Sequence, residues 1–427
     1  MARLQNNNKG SNRYSPLGVG GLFAWRYFRA KKTTNAINII SWISIVAIMV
    51  GTAALILVLS VFNGFEGLVK SLYSSFYPDL KVSPAAGKNI TLSEEQLQQL
   101  RGVKGVRNIS LVVEEKALLT NGEAQANTVL KGVDQHYIDV TGVKDHIVRG
   151  AFDVGTADEP LLVLGAGVEN AVAVQSDRSL EPLLLYTGRK GIGSVDLQNP
   201  LNSVSSGQVY AAGTFIIQQE FDNKYVITNL PFVQQMLGMP ANTYTAAEIA
   251  LTPNADAEDV QVAVAQALGK DYEVQTRYQQ NRSLYTVMQS EKWVIYAILS
   301  LILVVAAFNM IGALTMLVLE KKLDISVLHA LGGSRGFIQK IFLTEGLLLA
   351  GIGGGVGMLL ALGIALAQIH FHLIPLQGGS FLISHFPVEL HAADFLLVGV
   401  TVVVIAFIAS WIPARKAAQQ QFALRSE

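Results

Sequence analysis

Four long apolar runs, separated by polar sequence, dominate the hydropathy pattern: approximately Ile37 to Phe62, Trp293 to Leu319, Ile338 to Ile369 and Phe395 to Ile412. A bilayer core about 30 Å thick needs roughly 20 apolar helical residues, so each run predicts a membrane-spanning helix. The first run is too long for the core of a signal peptide, follows a polar leader and ends without a small-residue cleavage site. It is therefore expected to be retained.

Helical spacing continues beyond the first run, through Phe62, Phe65, Val69, Leu72 and Phe76, until Pro78. "SLYTVMQSEKW" repeats the pattern in mirror image before the second run. Helix from Ile37 to Phe76 would be roughly 60 Å long, about twice the hydrocarbon thickness, which predicts two rigid helical stalks.

Between the stalks, strand-like runs ("LKVSP", "VRNISLVVEEKALLT", "TVLKGVD", "PLLVLG", "YAAGTFIIQQ", "KYVITN") alternate with helix-like ones ("LSEEQLQQLRG", "LPFVQQMLG", "AEDVQVAVAQALG"). The fold expected is an α-helical membrane protein with four transmembrane helices and a large α+β extracytoplasmic domain, in two lobes, on helical stalks. Tyr186 to Gly207 is rich in turn formers and fits neither pattern, so it reads as a long functional loop or a disordered one. Residues 1 to about 20 have the composition of a disordered leader, and "LFAWRYFRAKK" that of an interfacial helix or a basic flank that sets topology.

The boundaries expected are 1–36 for the leader and interfacial helix, 37–62 for the first span and 63–292 for the outer domain with its stalks. A second span (293–319), a cytoplasmic connecting helix (320–337), a third span (338–369), an external loop (370–394), a fourth span (395–412) and a cytoplasmic tail (413–427) follow.

Composition agrees with partial residence in lipid. The 427 residues are 51% hydrophobic and 15% charged, with a mean hydropathy of +0.37, too apolar for an ordinary soluble chain of this length. Lys and Arg total 32, as do Asp and Glu, so no global field points to nucleic acid. The absence of cysteine excludes disulfides, thiolate catalysis, cysteine-ligated zinc and iron–sulfur clusters, without deciding the compartment.

Local charge carries the orientation. Arg26, Arg29, Lys31 and Lys32 precede the first span; Lys321, Lys322, Arg335 and Lys340 lie between the second and third; Arg415, Lys416 and Arg425 follow the fourth. His370 to Asp394 has no Lys or Arg. The positive-inside rule then places both termini and the 320–337 island in the cytoplasm, and Phe65 to Lys292 outside.

Candidate chemistry is sparse. "GIGGGVG" (Gly351 to Gly357) lies inside an apolar run without the Lys-Ser/Thr of a phosphate loop, and reads as close helix packing. "GRKGIGS" (Gly188 to Ser194) is not a nucleotide motif either. His370, His372, His385 and His391 share one external loop at spacings that match no standard metal site, and Glu114, Glu115, Asp158 and Glu159 come with no nucleophile and base. In the island, Leu323, Val327, Leu328 and Leu331 fall on one helical face, Glu320, Lys321, Lys322 and Asp324 crowd its start, and Gly332-Gly333 supplies a stop. Such a helix under the membrane is shaped to enter another protein's groove, or is a helical loop.

"RYFRAKK", "INIISWISIVAIMVGTAALILVLSVFNGFE", "EKKLDISVLHALGGSRGFIQKIF" and "ASWIPARKAA" resemble the lipoprotein-releasing permeases of the LolC/LolE family, within the FtsX/MacB-like group of ABC transporter subunits. The similarity runs along nearly the whole chain; the Asn-rich leader and the outer loops depart from it, leaving a LolC-like or LolE-like role open. The resemblance implies a non-catalytic inner-membrane subunit paired with a second permease subunit, homologous or identical, and with a LolD-like cytoplasmic ATPase. ATP and Mg would be bound by that ATPase, with no cofactor in this chain.

It further implies that Glu320, Lys321, Asp324, Leu328, Leu331 and Gly332 couple to the ATPase. A loop carrying Tyr186, Arg189, Ile192, Leu197 and Pro200 would hook a LolA-like periplasmic carrier, and Phe62, Asn63, Phe65 and Met288 would belong to the stalks and the lipoprotein path. Two other readings use the same architecture: an FtsX-like signalling permease without lipid transport, and a MacB-like efflux subunit, which would carry its ATPase in the same chain. Lifting acyl chains into water costs about 0.8 kcal/mol per methylene, so two or three chains of about 15 carbons cost tens of kcal/mol if fully exposed. Mechanical work from ATP, rather than bond chemistry in this chain, is the mechanism this implies.

Overall fold

The computed structural model describes residues 35–178, 181–188, 204–376 and 385–419. Two compact units emerge: one within Met1–Glu66, Met288–Pro375 and His385–Glu427, the other within Gly67–Val287 and Leu376–Ser384.

The first unit is helical. Its elements are drawn from α1 (Asn35–Phe76), α2 (Arg282–Glu320), α3 (Lys322–Ala330), α4 (Arg335–Phe371) and α5 (Ala392–Gln419). Among the described residues, four helices, α1, α2, α4 and α5, are long and apolar enough to cross a membrane. α1 ends at Phe76, before the turn at Pro78, as the spacing predicts. At 42 residues it is about 63 Å long, more than a bilayer requires.

The glycine run explains how these helices approach. A Cβ at Gly353 would stand 2.8 Å from the Ile45 carbonyl oxygen, and one at Gly357 2.5 Å from that of Met49, both on α1. On another side of α4, a Cβ at Gly354 would lie 3.1 Å from Val402 of α5. The glycines thus let backbones meet where no side chain fits, the packing mode of lipid-embedded helices. Around them Ile45, Leu55, Ile56, Leu303, Met310, Leu349, Val398 and Ala406 form the helical core.

The second unit is α+β. Among the described residues its main sheet has ten strands: β1 (Leu80–Pro84), β3 (Val106–Asn121), β4 (Ala124–Val133), β5 (Ile147–Gly150), β6 (Leu161–Gly165), β7 (Leu183–Gly188), β8 (Val204–Phe215), β9 (Tyr225–Asn229), β11 (Ala246–Leu251) and β12 (Tyr272–Thr276). The order is β12-β1-β11-β3-β4-β9-β6-β8-β5, with β7 bridging β3 and β8; β2 (Ile90–Thr91) and β10 (Thr243–Tyr244) pair separately.

Strand alternation divides the core. Val113, Leu130, Leu162, Val226 and Ile249 face one side and pack with helices Glu94–Gly102, Leu230–Leu237 and Ala257–Leu268. Val112, Val133, Val163, Ile227 and Ala246 join Tyr73 and Phe76, in the last turn of α1, and Tyr137 in a second cluster.

The helix starts follow from local chemistry. Ser93 and Gln96 form a reciprocal capping box, and Asn229 and Asp256 each accept amide hydrogens at a helix start. Where the chain leaves α1 and returns from β12, Arg277 bonds Asp79 at 2.8 Å and donates to the Tyr77 carbonyl, pinning entry to exit.

Candidate functional site

The charged island is a short helix with a defined stop. The N–H of Gly333 donates to the Leu328 carbonyl and that of Gly332 to His329, and Gly332 has φ +86°, so a left-handed glycine closes α3 in a Schellman turn. Lys321, just before α3, pairs with Asp324 at 3.3 Å, while Glu320 is the last residue of α2.

The expected apolar face divides in two. Leu323 and Leu331 are each 80% exposed and Val327 is 58% exposed, a stripe at i, i+4 and i+8 that no other described part of the chain covers, with Leu328 half-buried beside it. The residue that seats the helix is Ile325, which sequence reading missed. It packs with Leu317, Val318, Ile338, Phe342, Ala414 and Ala417. The small residues of "IPARKAA" are thus buried in helix, and α5 continues to Gln419 through a stretch that reads as a tail in the sequence.

The turn-rich segment from Tyr186 to Gly207 requires a correction. Tyr186, Thr187 and Gly188 are strand, registered against Ser206, Ser205 and Val204, so both flanks belong to a β7–β8 hairpin. Ladder hydrogen bonds and the Leu183, Leu185 and Val209 side chains, buried beneath them, hold these turn-forming residues extended. Arg189, Ile192, Leu197 and Pro200 lie outside the described residues, as does the leader with its proposed interfacial helix. Tyr186 lines a largely apolar groove of about 770 Å³ with Leu118, Val129 and Val204, flanked by Lys116 and Lys224.

Of the residues assigned to the stalks and path, Phe62, Phe65 and Met288 are half-buried. Asn63 is buried, and its amide is bonded on both sides in the packing between helix ends. The histidine loop brings the rings of His372 and His385 to 3.8 Å between centroids and sets His391 3.0 Å from Glu389. Among the described residues, no group of three His, Cys, Asp or Glu could hold a metal.

Glu114, which reads as one of several scattered carboxylates, belongs to a buried ion network. Lys131 lies 2.7 Å from Glu248 and 3.2 Å from Glu114, whose other oxygen is 3.6 Å from Lys81. The Lys131 ammonium also stands 5.0 Å from the ring centres of Phe76 and Tyr137. Burial alone would raise the Glu114 carboxyl, but Lys131 and Lys81 outweigh it and hold the group down to about 2. Burial pushes Glu248 up, and the neighbouring Glu114 carboxylate adds to that push against the pull of Lys131. Burial works against the charge on Lys131, and Glu248 first among its neighbours overcomes that and holds its pKa well above the ordinary lysine value.

Four apolar helices with an amphipathic connector, and a large α+β unit inserted between the first two, define a multi-pass permease-type membrane protein. A model of the MacB-like periplasmic core domain matches residues 41–267, and one of the FtsX-like permease C-terminal region matches residues 296–422. The chain is 26% identical to a lipoprotein-releasing system transmembrane protein LolC of Xylella fastidiosa, covering 96% of this chain and 98% of that one. It is 27% identical to a LolE of Haemophilus influenzae (93% and 96%) and 25% to a LolC of Neisseria meningitidis (94% and 97%). The chain belongs to the LolC/LolE family of the FtsX/MacB-like permease superfamily.

Proposed function

We propose that this chain is the membrane subunit of an ABC transporter that extracts lipoproteins from the outer leaflet of the inner membrane and hands them to a periplasmic carrier. A separate cytoplasmic ATPase drives it through α3. The observation that carries this reading is the exposed stripe of Leu323, Val327 and Leu331 on a helix seated by Ile325, in a chain similar along its length to LolC and LolE proteins. Three large aliphatic side chains left uncovered on a capped connector suit a protein groove. A second permease subunit completes the assembly, and this chain contributes conformational work and no bond chemistry.

The test uses the full chain extracted with its native partners. Leu331→Asp and Leu323→Asp should remove the co-purifying ATPase while leaving membrane insertion intact, and ATP-dependent release of a triacylated lipoprotein should stop. Ile325→Ala, which empties the buried side of α3, should instead lower thermal stability. An ATPase retained by both aspartate variants refutes coupling through this stripe. ATPase association without any release of lipoprotein by the parent chain favours a signalling permease.

A further inference from the structure

Asn63 lies where the apolar run of α1 gives way to polar sequence, and its amide is occupied on both sides. Nδ2 donates to Asp394 on α5 at 2.5 Å, and Oδ1 accepts from the Lys292 ammonium on α2 at 2.7 Å. Lys292 is itself 3.7 Å from Asp394, closing a triangle over three helices. Asn63 and Asp394 are almost wholly buried, so each depends on the other members and not on water. Further along the same two helices, the Tyr296 hydroxyl meets that of Thr401, a second polar link between α2 and α5.

The remaining helix end is tied in through backbone. The Gln368 side chain donates to the carbonyls of Ile374 and Phe386 and accepts the Ile374 N–H, folding the chain after α4 back on itself. That chain then lies along α1. The Glu389 N–H donates to the Ser60 carbonyl at 2.9 Å, and the Phe386 ring stands edge-on to Phe65 at 5.8 Å. Gly64 sits so close to the Pro387 backbone that any Cβ would collide with it.

Lys292 is half-buried and Asp394 buried; such a pair is weak evidence for added stability but evidence for a defined arrangement, because separating its members strands the buried carboxylate. An amide that accepts from the cation and donates to the anion makes the arrangement depend on all three groups. We propose that Asn63, Lys292 and Asp394 form a polar clasp that joins the ends of α1, α2 and α5 of one subunit into a single body. The three are positioning residues. Resting on the transport reading above, the clasp has one consequence: these ends of α1, α2 and α5 move together during transport.

The test places cysteines at Phe65 and Phe386 of the full-length chain, which has no cysteine of its own, and follows disulfide formation in membranes under mild oxidation. Asn63→Asp sets two carboxylates against each other and should slow cross-linking about tenfold. The exchange variant N63D/D394N keeps one carboxylate and one amide with their positions swapped, so Lys292 and the relocated amide can both donate to position 63. It should recover the parent rate within about twofold, a rescue that general loss of packing would not give. Lys292→Met leaves Asn63 and Asp394 bonded to each other and should also slow the reaction. This variant decides the matter if N63D does not accumulate.

Parent-rate cross-linking in N63D and K292M, or an exchange variant as slow as N63D, overturns the clasp. ATP-driven release of a triacylated lipoprotein is measured separately in the same membranes. A parent chain that releases none refutes the transport reading, while the cross-linking rates still decide the clasp.

Discussion

Lys131 on β4 and Glu248 on β11 meet at 2.7 Å although β3 runs between their strands. The contact spans the sheet because a lysine stem is long enough to cross a neighbouring strand on the same face, and Glu114 on β3 sits beneath it at 3.2 Å. Removing the cation leaves a buried carboxylate without a partner. Lys131→Met should therefore destabilise the α+β unit by about 3–5 kcal/mol, whereas Glu248→Gln, which still accepts a hydrogen bond from Lys131, should cost less. Hydrogen exchange at β3, β4 and β11 measures both. Equal protection in the two variants would contradict the assignment of Lys131 as the central charge.

The same network sets an acid limit. Glu114 is held at about 2, below its unfolded value of 4.5, so its stabilisation is present above that value and is lost as the pH falls toward 2. Lys131 is shifted upward, so its contribution is intact at low pH and is lost only as the pH rises past 10.5 toward its folded value. Glu248 is raised, which works in the opposite sense to Glu114 and favours the fold below its own titration. Unfolding of the α+β unit followed by tyrosine circular dichroism should show stability declining below about pH 4.5, and Glu114→Gln should flatten that decline.

Packing of α4 against α1 leaves no room at Gly357, where a Cβ would stand 2.5 Å from the Met49 carbonyl oxygen and 3.0 Å from Thr52. Gly357→Val should lower the thermal midpoint of the detergent-solubilised protein, by about 1–3 kcal/mol or more in stability. Gly351, whose Cβ would meet nothing within 4 Å, should accept the same change with little effect.

The β7–β8 ladder defines where the candidate carrier hook can be cut. Gly188 and Val204 are paired, so replacing residues 189–203 with a short Gly-Ser turn should leave the hairpin, the fold and ATP hydrolysis intact. Transfer of lipoprotein to the soluble carrier should fail. Photo-crosslinkers at Ile192 and Pro200 should capture that carrier, and one at Gln98, on helix Glu94–Gly102, should not.

Orientation is open to direct labelling, since every introduced thiol is the only one in the chain. Cysteines at Asn89 and His385 should react with an impermeant reagent in cells opened only at the outer membrane, and one at Lys322 should stay protected. The opposite pattern would invert the topology.

Hydropathy and charge along the chain were enough for four spans, the length of α1, the amphipathic connector and the α+β character of the segment between the first two spans. These depend on local periodicity, proline and glycine signals and the length of an apolar run, all carried by neighbouring residues. Six runs that read as strands in the sequence overlap β1, β3, β4, β6, β8 and β9, although the run from Tyr210 to Gln219 covers only the second half of β8 and extends past its end.

What the linear order concealed was pairing. Glu114, Lys131 and Glu248 are separate charged residues in the sequence, and only the β11-β3-β4 order makes them one buried network. Tyr186 to Gly188 look like turn because of their composition, yet β8 supplies the hydrogen bonds that extend them. Ile325 and Leu323 are equally apolar, and only contact with α4 and α5 decides that the first is seated and the second exposed. Asn63 lies 331 residues from Asp394 and 229 from Lys292, and no local rule relates an amide on one helix to a charge on another. Side-chain type and spacing set what each segment can form alone. Which groups lose water together, and so which charges need partners, follows only from the packed arrangement of distant segments.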